Sequence, residues 1–247
     1  MDTVLRKSLL NKSALGFWCV NHVQGCAHGC RYPCYAFMMA RSYGRARDYA
    51  DWTRPRLAAG AVELLARELD HKREKPDRVH FCLTTDPFMH GYPEVAALSL
   101  ELVALVNERG IPCSILTKGL LPPDLADRKR FPCENAYEIS LVSLDEEFRG
   151  RWEPGAAPYA ERIESLRRLA EAGRTTGAHV EPYPPPSLAA QDLGALLEAV
   201  GFVDRLYFGG WNYNAALLRG FDAEGFYRAQ AETARRFCAS RAIAFSS

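Results

Sequence analysis

Short apolar runs alternate with longer amphipathic stretches along the chain. Apolar runs that are bounded by polar or turn-forming residues predict buried strands, and they fall at residues 16–23, 79–84, 113–117, 138–143, 177–181 and 204–208. Between them apolar residues recur at helical spacing, as Val95, Leu98, Leu102 and Leu105 do before Gly110. Such periodic stretches predict helices at residues 58–70, 94–107, 159–172, 188–200 and 223–238.

Six strands that alternate with helices predict an α/β fold with a parallel sheet and right-handed crossovers. Six units are too few for an eight-stranded barrel, so we expect a partial, open (β/α)6 TIM-like barrel. No repeat or linker divides the chain, which predicts one domain over residues 1–247 with a C-terminal helix at about 222–241. In this architecture chemistry collects at the carboxyl ends of the strands, where the loop at 25–36 follows the first strand.

The composition is that of a globular protein. The 247 residues are 48% hydrophobic and 25% charged, and no apolar run approaches the ~20 residues that span a bilayer. Residues 1–13 lack the apolar core of a signal peptide, so we expect a cytoplasmic protein without a membrane partner. A net charge of +1 does not indicate a nucleic-acid partner, although it leaves one open, and the mildly basic stretch at 41–78 is typical of a solvated face.

Eight cysteines in a reducing compartment favour metal or redox chemistry over a disulfide framework. Three of them, Cys26, Cys30 and Cys34, lie within nine residues of the loop GCAHGCRYPCYA. Cysteine thiolates bind zinc and iron–sulfur clusters, and this loop can curl three of them around one soft metal centre. Three protein ligands would leave a position open for catalysis, whereas His28 as a fourth ligand would complete a zinc site.

The loop and the segments after the later strands resemble the radical S-adenosylmethionine (SAM) superfamily, and within it the spore photoproduct lyase-like branch, over roughly residues 15–215. The loop of that branch reads GCxHGCxYCYA, and here Pro33 is inserted before the third cysteine. The other matches, in chain order, are TTDP at 84–87, LTK at 116–118, ISLVSL at 139–144, WEP at 152–154, Arg162 and VEP at 180–182. Each motif is short, and their joint order carries the resemblance.

The resemblance implies a [4Fe-4S] cluster on Cys26, Cys30 and Cys34, with SAM bound at the remaining iron. Reductive cleavage of SAM would give methionine and a 5′-deoxyadenosyl radical, which abstracts a hydrogen atom from a substrate that the sequence does not identify. An electron donor such as flavodoxin or ferredoxin is implied as well. The cofactor would supply the difficult chemical step, and the protein would supply orientation and exclusion of water.

The resemblance also implies SAM-binding residues near the strand ends, namely Tyr35, Thr85, Asp86, Lys118, Ser140 and Arg162. Lys118 is expected to pair with the SAM carboxylate, unless it is a surface lysine. Ser140 is expected to donate a hydrogen bond to SAM, unless it is a core or loop serine. Arg162 is expected to reach a carboxylate, unless it forms an exposed ion pair with a neighbouring glutamate. Asp86 before Pro87 would serve equally as a turn former.

Other features leave alternatives open. The string YFGGWNYN at 207–214 would either close over a planar substrate or plug the end of the barrel. Leu83 stands where the branch has a hydrogen-donating cysteine, so thymine-dimer repair is not implied and Cys82 is predicted to be a buried structural thiol.

Two functions of other classes compete with the enzyme: a zinc-stabilised binding module that uses Tyr213 and arginine-rich surfaces, and a non-catalytic iron–sulfur or SAM-binding regulator.

Overall fold

The computed structural model describes residues 1–32, 34–211 and 218–247. The predictions on Pro33 and on residues 212–214 of the aromatic string lie outside the described residues. Within the described ranges, none of the helices combines the length and the apolar character that crossing a membrane requires.

Eleven strands and eight helices follow one another along the described chain. The strands are β1 (Thr3–Val4), β2 (Leu10–Lys12), β3 (Trp18–Val20), β4 (Val23–Gln24), β5 (Arg56–Ala58), β6 (Val79–Phe81), β7 (Cys113–Thr117), β8 (Ala136–Ser140), β9 (Thr175–Val180), β10 (Arg205–Phe208) and β11 (Ala244–Ser246). The helices are α1 (Tyr35–Ser42), α2 (Tyr49–Trp52), α3 (Ala61–Asp70), α4 (Pro93–Asn107), α5 (Glu146–Trp152), α6 (Tyr159–Glu171), α7 (Leu193–Ala199) and α8 (Ala223–Ser240).

Eight strands form the main sheet, in the order β11-β10-β9-β8-β7-β6-β3-β2. Neighbouring strands are parallel except at one edge, where β2 runs antiparallel to β3. The six predicted strands correspond to β3 and to β6 through β10, and they cross the sheet in chain order, which confirms the α/β class and the partial-barrel core. β11 adds a parallel strand that was not predicted, because Phe245 is the one large apolar residue among its three.

The prediction of one continuous strand at 16–23 is wrong, because the chain passes there from one sheet to another. β3 pairs with β6, whereas β4 pairs with β5 in a three-stranded sheet of order β1-β5-β4. The Cys82 N–H donates to the Val20 carbonyl at 2.8 Å, and the Ala58 N–H donates to the His22 carbonyl at 2.8 Å. The cysteine loop therefore starts from the smaller sheet.

Two helices begin later than predicted, and local chemistry explains both. α3 starts at Ala61 rather than at 58, because residues 56–58 form β5 and Gly60 has a left-handed φ of 59°. α7 starts at Leu193 rather than at 188, because the Asp192 carboxylate accepts a hydrogen bond from the Ala195 N–H at 3.1 Å and caps the helix there. The C-terminal helix α8 matches the prediction within two residues.

The register of the parallel strands determines which side chains share a face. Ser140 pairs with His179, and His179 pairs with Tyr207, so these three side chains lie on one face of the sheet. Glu138, two residues before Ser140, lies on the same face. The other face carries fully buried apolar side chains, among them Ile115, Ile139, Ala178 and Leu206. The sheet thus has an apolar face towards its core and a polar face that ends beneath the cysteine loop.

Candidate cofactor site

The cysteine loop lies over the carboxyl end of β7. Cys26 follows β4, and Cys34 is the N-cap residue of α1. Cys30 between them is buried, whereas the other two cysteines are partly buried. The Lys118 ammonium, directly after β7, lies 5.5 Å from the centroid of the Tyr32 ring in this loop. The structure therefore puts the loop at the strand edge where the sequence predicted it.

Main-chain hydrogen bonds hold the loop to two distant segments. The Cys26 N–H donates to the Trp52 carbonyl (2.9 Å), the Arg31 N–H donates to the Trp152 carbonyl (2.8 Å), and the Gly155 N–H donates to the His28 carbonyl (2.9 Å). A Cβ at Gly155 would lie 2.2 Å from the Ala27 carbonyl oxygen, so only glycine fits there. The segment at 152–155 consequently packs backbone against backbone on the loop.

The three thiols lie within electrostatic reach of one side chain. Tyr49 of α2 donates its hydroxyl to the Cys30 carbonyl at 2.5 Å. Burial raises the pKa of Tyr49, and the charges of Cys30, Cys34 and Cys26 raise it further. Tyr49 therefore fastens α2 to the middle of the cysteine loop, and metal binding by the three cysteines stays a prediction.

Burial keeps two of these thiols protonated when no cation is bound. Burial, and then the charges of Asp86 and Cys30, raise the pKa of Cys26 well above its ordinary value. Burial also raises the pKa of Cys30 to about 12, although the Lys118 ammonium opposes this rise. The thiolate is the form that binds metal, so a bound cation here would displace protons.

Both ring nitrogens of His28 are engaged by the protein, which argues against His28 as a zinc ligand. Its Nε2 accepts a hydrogen bond from the His90 N–H at 3.2 Å, and its Nδ1 lies 3.4 Å from Asp86 Oδ2. Burial lowers the pKa of His28 to about 4. A neutral ring that donates from Nδ1 and accepts at Nε2 satisfies both contacts.

The donor set fits an iron–sulfur cluster. In the described ranges of the chain, no three His, Cys, Asp or Glu side chains are gathered closely enough to bind one metal ion. That result bears on a single zinc ion, because each cysteine of a [4Fe-4S] cluster binds a different iron atom and the sulfurs stand apart by the width of the cluster. Three soft thiols on one loop, beside the Lys118 cation, would provide the kind of ligands that such a cluster requires.

A buried charge network adjoins the loop and centres on Glu153. Glu153 Oε1 accepts hydrogen bonds from Lys118 Nζ at 2.5 Å and from the Tyr32 hydroxyl, and its Oε2 accepts one from Arg162 Nη2 at 3.0 Å. Lys118 Nζ also donates to Ser140 Oγ at 2.7 Å. The Lys118 side chain is 18% exposed, whereas those of Glu153 and Arg162 are fully buried. Two cations share one carboxylate, and Lys118 is the cation that a ligand can reach.

Glu153 was not predicted as a site residue, although it lies in the WEP motif at 152–154. Burial by itself would raise the pKa of Glu153, but the charges of Lys118 and Arg162 and the hydrogen bonds from Lys118 and Tyr32 lower it to about 2. The side chain is therefore an anion at neutral pH. A glutamate between Trp152 and Pro154 is the signal in the sequence, and this signal does not distinguish a buried carboxylate from an exposed one.

Arg162 reaches a carboxylate, as one of its two expectations stated, and this carboxylate belongs to Glu153. Arg162 lies in the first turn of α6, but its guanidinium is fully buried, so the exposed ion pair is wrong. Its Nε donates to the Ala157 carbonyl at 2.7 Å and its Nη1 to the Ser140 carbonyl at 2.9 Å. With its third nitrogen on Glu153, Arg162 fixes the end of β8, and its role in SAM binding stays a prediction.

Asp86 likewise contacts protein groups. Its carboxylate accepts hydrogen bonds from the Phe88 N–H at 2.9 Å, the Thr117 hydroxyl at 2.6 Å and the Lys118 N–H at 2.8 Å. The first contact is the turn that the sequence suggested as an alternative. The other two fasten the loop after β6 to the end of β7, so Asp86 builds the frame around Lys118.

Tyr35 and Thr85 lie where the segment after β6 meets α1. Tyr35 is the first residue of α1, is 42% exposed and donates its hydroxyl to the Leu83 carbonyl. Thr85 is half-buried and lines, with Thr84, a cleft of about 380 Å³ against α1. Their roles in SAM binding, like those of Lys118 and Ser140, stay predictions.

A second cluster on the polar face was missed by the sequence analysis. His179 Nε2 lies 3.0 Å from Glu138 Oε2, and its Nδ1 lies 2.8 Å from Glu181 Oε1. Its ring stacks on Tyr207 with centroids 4.1 Å apart. Burial would lower the pKa of His179, but the hydrogen bonds with the two glutamates raise it to about 9. Ionisable residues at alternate positions of two neighbouring predicted strands were the available signal.

Cys82 is buried, as predicted. Its Sγ lies 3.6 Å from His22 Nδ1, and burial raises its pKa to about 12. Its φ of 57° is unusual for a residue other than glycine. This conformation ends β6 at Phe81, so the predicted strand end at 84 is wrong.

The fold is similar to those of several solved enzymes. A spore photoproduct lyase variant with bound AdoMet and dinucleoside spore photoproduct matches with a TM-score of 0.71 at 13% identity, over 98% of this chain and 80% of that one. Spore photoproduct lyase complexed with dinucleoside spore photoproduct gives 0.69 at 16% identity, with the same two coverages. Methylornithine synthase (PylB) gives 0.56 at 16% identity, over 92% of this chain and 63% of that one. At these identities the likeness shows the fold.

One curated relative comes from a virus. The uncharacterized protein ORF301 of Acidianus two-tailed virus is 26% identical over 188 residues. The match covers 74% of this chain and 61% of the relative, so the chain spans less than two thirds of the length of that protein.

The family model described as Radical SAM superfamily matches residues 20–209. This range contains the cysteine loop, the Glu153 network and five of the six predicted core strands in full, together with the second half (20–23) of the first. The match extends over more than half of the sequence. The chain belongs to the radical SAM superfamily.

Proposed function

We propose that this protein is a radical SAM enzyme that binds a [4Fe-4S] cluster through Cys26, Cys30 and Cys34 and binds SAM beside Lys118. When bound, these cofactors supply the reductive cleavage of SAM and a 5′-deoxyadenosyl radical that takes a hydrogen atom from the substrate. The observation that carries this proposal is a loop of three closely spaced cysteines, held by main-chain hydrogen bonds next to a partly exposed cation at the carboxyl edge of a parallel sheet.

The protein residues have distinct tasks in this proposal. Lys118 pairs with the carboxylate of SAM, because its ammonium is the accessible member of a network with one positive charge in excess. Ser140 and Glu153 hold that ammonium in place from two sides. Arg162 and Tyr32 in turn fix Glu153, so Lys118 is oriented before the ligand arrives.

The polar face below Ser140 favours a polar substrate. This face is lined, on the neighbouring strands β8, β9 and β10, by Glu138, His179 and Tyr207. Dinucleoside spore photoproduct is the ligand of the lyase structures and is not proposed for this chain, because Leu83 occupies the position of the hydrogen-donating cysteine. A nucleic-acid substrate is compatible with the net charge of +1 but is not favoured by it.

The test is anaerobic reconstitution with iron and sulfide, followed by dithionite and SAM, with 5′-deoxyadenosine measured by mass spectrometry. We expect brown protein with equal amounts of iron and sulfide, and formation of 5′-deoxyadenosine. Cys30→Ala should abolish both the binding of iron and sulfide and the formation of 5′-deoxyadenosine, because it removes one of the three thiolates. Cys133→Ala is the matched control, since this half-buried thiol lies outside the loop and should leave both unchanged.

Three outcomes would contradict the proposal. An intact cluster that forms no 5′-deoxyadenosine would argue for an iron–sulfur regulator. One equivalent of zinc without iron would argue for the binding module. A Cys30→Ala protein that still makes 5′-deoxyadenosine would remove the cysteine loop from the chemistry.

A further inference from the structure

Exposed apolar side chains are concentrated on α1. Met38 is 45% exposed, Met39 is 40% exposed and Tyr43, directly after the helix, is 68% exposed. Single exposed apolar residues are common on soluble proteins, but a contiguous group of large ones marks an interaction surface. The buried side of the same helix carries Ala36 and Ala40, so α1 packs by its small residues and presents its large ones to solvent.

Positive charge is concentrated in the same stretch of the chain. Residues 31–54 contain two aspartates and five arginines, an excess of three positive charges in a chain whose net charge is +1. The arginines are all exposed: Arg31, Arg41, Arg45, Arg47 and Arg54. We call these five arginines, together with Met38, Met39 and Tyr43, the α1 surface.

One arginine outside this stretch adds to the field. Arg6 and Arg45 both line the cleft of about 380 Å³ beside α1, together with Met39 and Tyr43. Burial, and then the charge of Arg45, lower the pKa of Arg6. Two guanidinium groups that act on each other across a cleft favour an acidic group between them.

The position of the α1 surface indicates what binds there. Cys34 is the N-cap residue of α1, so this exposed surface adjoins the loop that is proposed to hold the cluster. Each reductive cleavage of SAM consumes one electron, which a carrier must give up close to that loop. A protein carrier with an acidic face complements the arginines, and a mixture of methionine, tyrosine and arginine is typical of protein–protein interfaces.

We propose that the α1 surface is the docking site for an acidic one-electron carrier protein. The inference rests on the proposed function, because the electron has no use without SAM cleavage. Met38 and Met39 supply the apolar centre of the interface, and the arginines around them steer and orient the carrier.

The experiment uses the reconstituted enzyme with an acidic flavodoxin as the probe. Met38→Glu and Arg41→Glu each introduce a negative charge on the α1 surface. Arg236→Glu is the matched control, because it reverses a charge with a 69% exposed side chain on α8, towards the opposite edge of the sheet. Calorimetry measures the Kd of flavodoxin, and 5′-deoxyadenosine is measured with reduced flavodoxin and, separately, with dithionite.

We expect the Kd of flavodoxin to rise by about tenfold or more in the two α1 variants and to stay within about twofold in Arg236→Glu. The Kd of the unsubstituted enzyme should also rise with salt. Flavodoxin-driven formation of 5′-deoxyadenosine should fall in parallel with binding. The dithionite-driven rate should not change, since a small reductant does not need the interface.

Equal affinity for flavodoxin in all four proteins would overturn the proposal. So would tight binding of a single-stranded DNA oligonucleotide that Arg41→Glu abolishes while flavodoxin does not bind, because the surface would then serve a nucleic acid. Absence of 5′-deoxyadenosine with both reductants is instead a failure of the proposed function. In that case the calorimetric comparison of the four proteins still decides whether the α1 surface binds the carrier.

Discussion

Replacing Glu153 with glutamine tests the buried charge network. The change keeps the size of the side chain but leaves Lys118 and Arg162 with no carboxylate between them. Removing one partner of a buried ion pair costs about 3–5 kcal/mol. A pKa lowered from 4.5 to about 2 corresponds to about 3 kcal/mol, at ~1.4 kcal/mol for each unit. We therefore expect Glu153→Gln to lower the free energy of unfolding by about 3 kcal/mol at neutral pH.

The size of this loss should depend on pH in one direction. A carboxyl group whose pKa is lowered by folding stabilises the protein above its unfolded pKa of 4.5, and the contribution disappears as the pH falls through that value towards about 2. The free energies of unfolding of the unsubstituted protein and of Glu153→Gln should therefore converge on acidification. Urea unfolding of cluster-free protein, followed by tryptophan fluorescence from neutral pH to about pH 3, measures the difference.

Glu232→Gln on α8 is the control, because Glu232 pairs with Arg235 at 2.9 Å with both side chains about half exposed. An exposed pair contributes at most about 1 kcal/mol, so this variant should lose little stability. Glu153 does not stabilise the fold as an ion-paired carboxylate if Glu153→Gln costs no more than Glu232→Gln, or if its cost stays constant as the pH falls.

Three further substitutions test other parts of the structure. The His179 cation stabilises the protein fully below 6.5, the pKa of histidine in the unfolded chain, and this contribution is lost as the pH rises through about 9. In urea unfolding, the extra stability of the unsubstituted protein over His179→Gln should therefore shrink across that range. A difference that stays constant would contradict the raised pKa of His179. Gly155→Ala should cost about 1–3 kcal/mol because its Cβ meets the Ala27 carbonyl, whereas Gly150→Ala, with open space inside α5, should stabilise by up to about 1 kcal/mol; thermal denaturation compares the two, and equal melting temperatures would speak against the close packing. Lys118→Met should raise the Kd of SAM by about tenfold in equilibrium dialysis with the reconstituted enzyme, and unchanged affinity would exclude Lys118 from the SAM site.

The strand order was predictable because buried parallel strands have a strong pattern. The side chains of apolar runs such as 113–117 pack against the helix layer and against neighbouring strands, which requires apolar residues along the whole run. β7 matches its prediction at both ends. The break between β3 and β4 was not predictable in the same way. There the backbone changes its hydrogen-bonding partner, and a main-chain partner leaves no trace in the pattern of side chains.

The residues of the site likewise include some that the sequence could suggest and some that it could not. The three closely spaced cysteines could be predicted as metal ligands because residue type and spacing already indicate that chemistry, and Lys118 could be predicted because its motif resembles that of the family. Glu153 was not identified, because its importance comes from two cations that are 35 and 9 residues away in sequence. An exposed ion pair remained an alternative for Arg162 for the same reason, since a helix of mixed charge does not indicate which arginine is buried.

The attachment of the cysteine loop has a consequence for how the metal centre is made. Contacts at Trp52, Trp152 and Gly155 fix the loop from outside, so its shape follows from the polypeptide fold. In the proposed enzyme, the entropy of ordering the loop would be lost when the chain folds, and iron and sulfide would then enter a finished scaffold. This order of events is the reverse of that in small zinc domains, which fold around their metal. Maturation would then be a late step that leaves the remainder of the molecule unchanged.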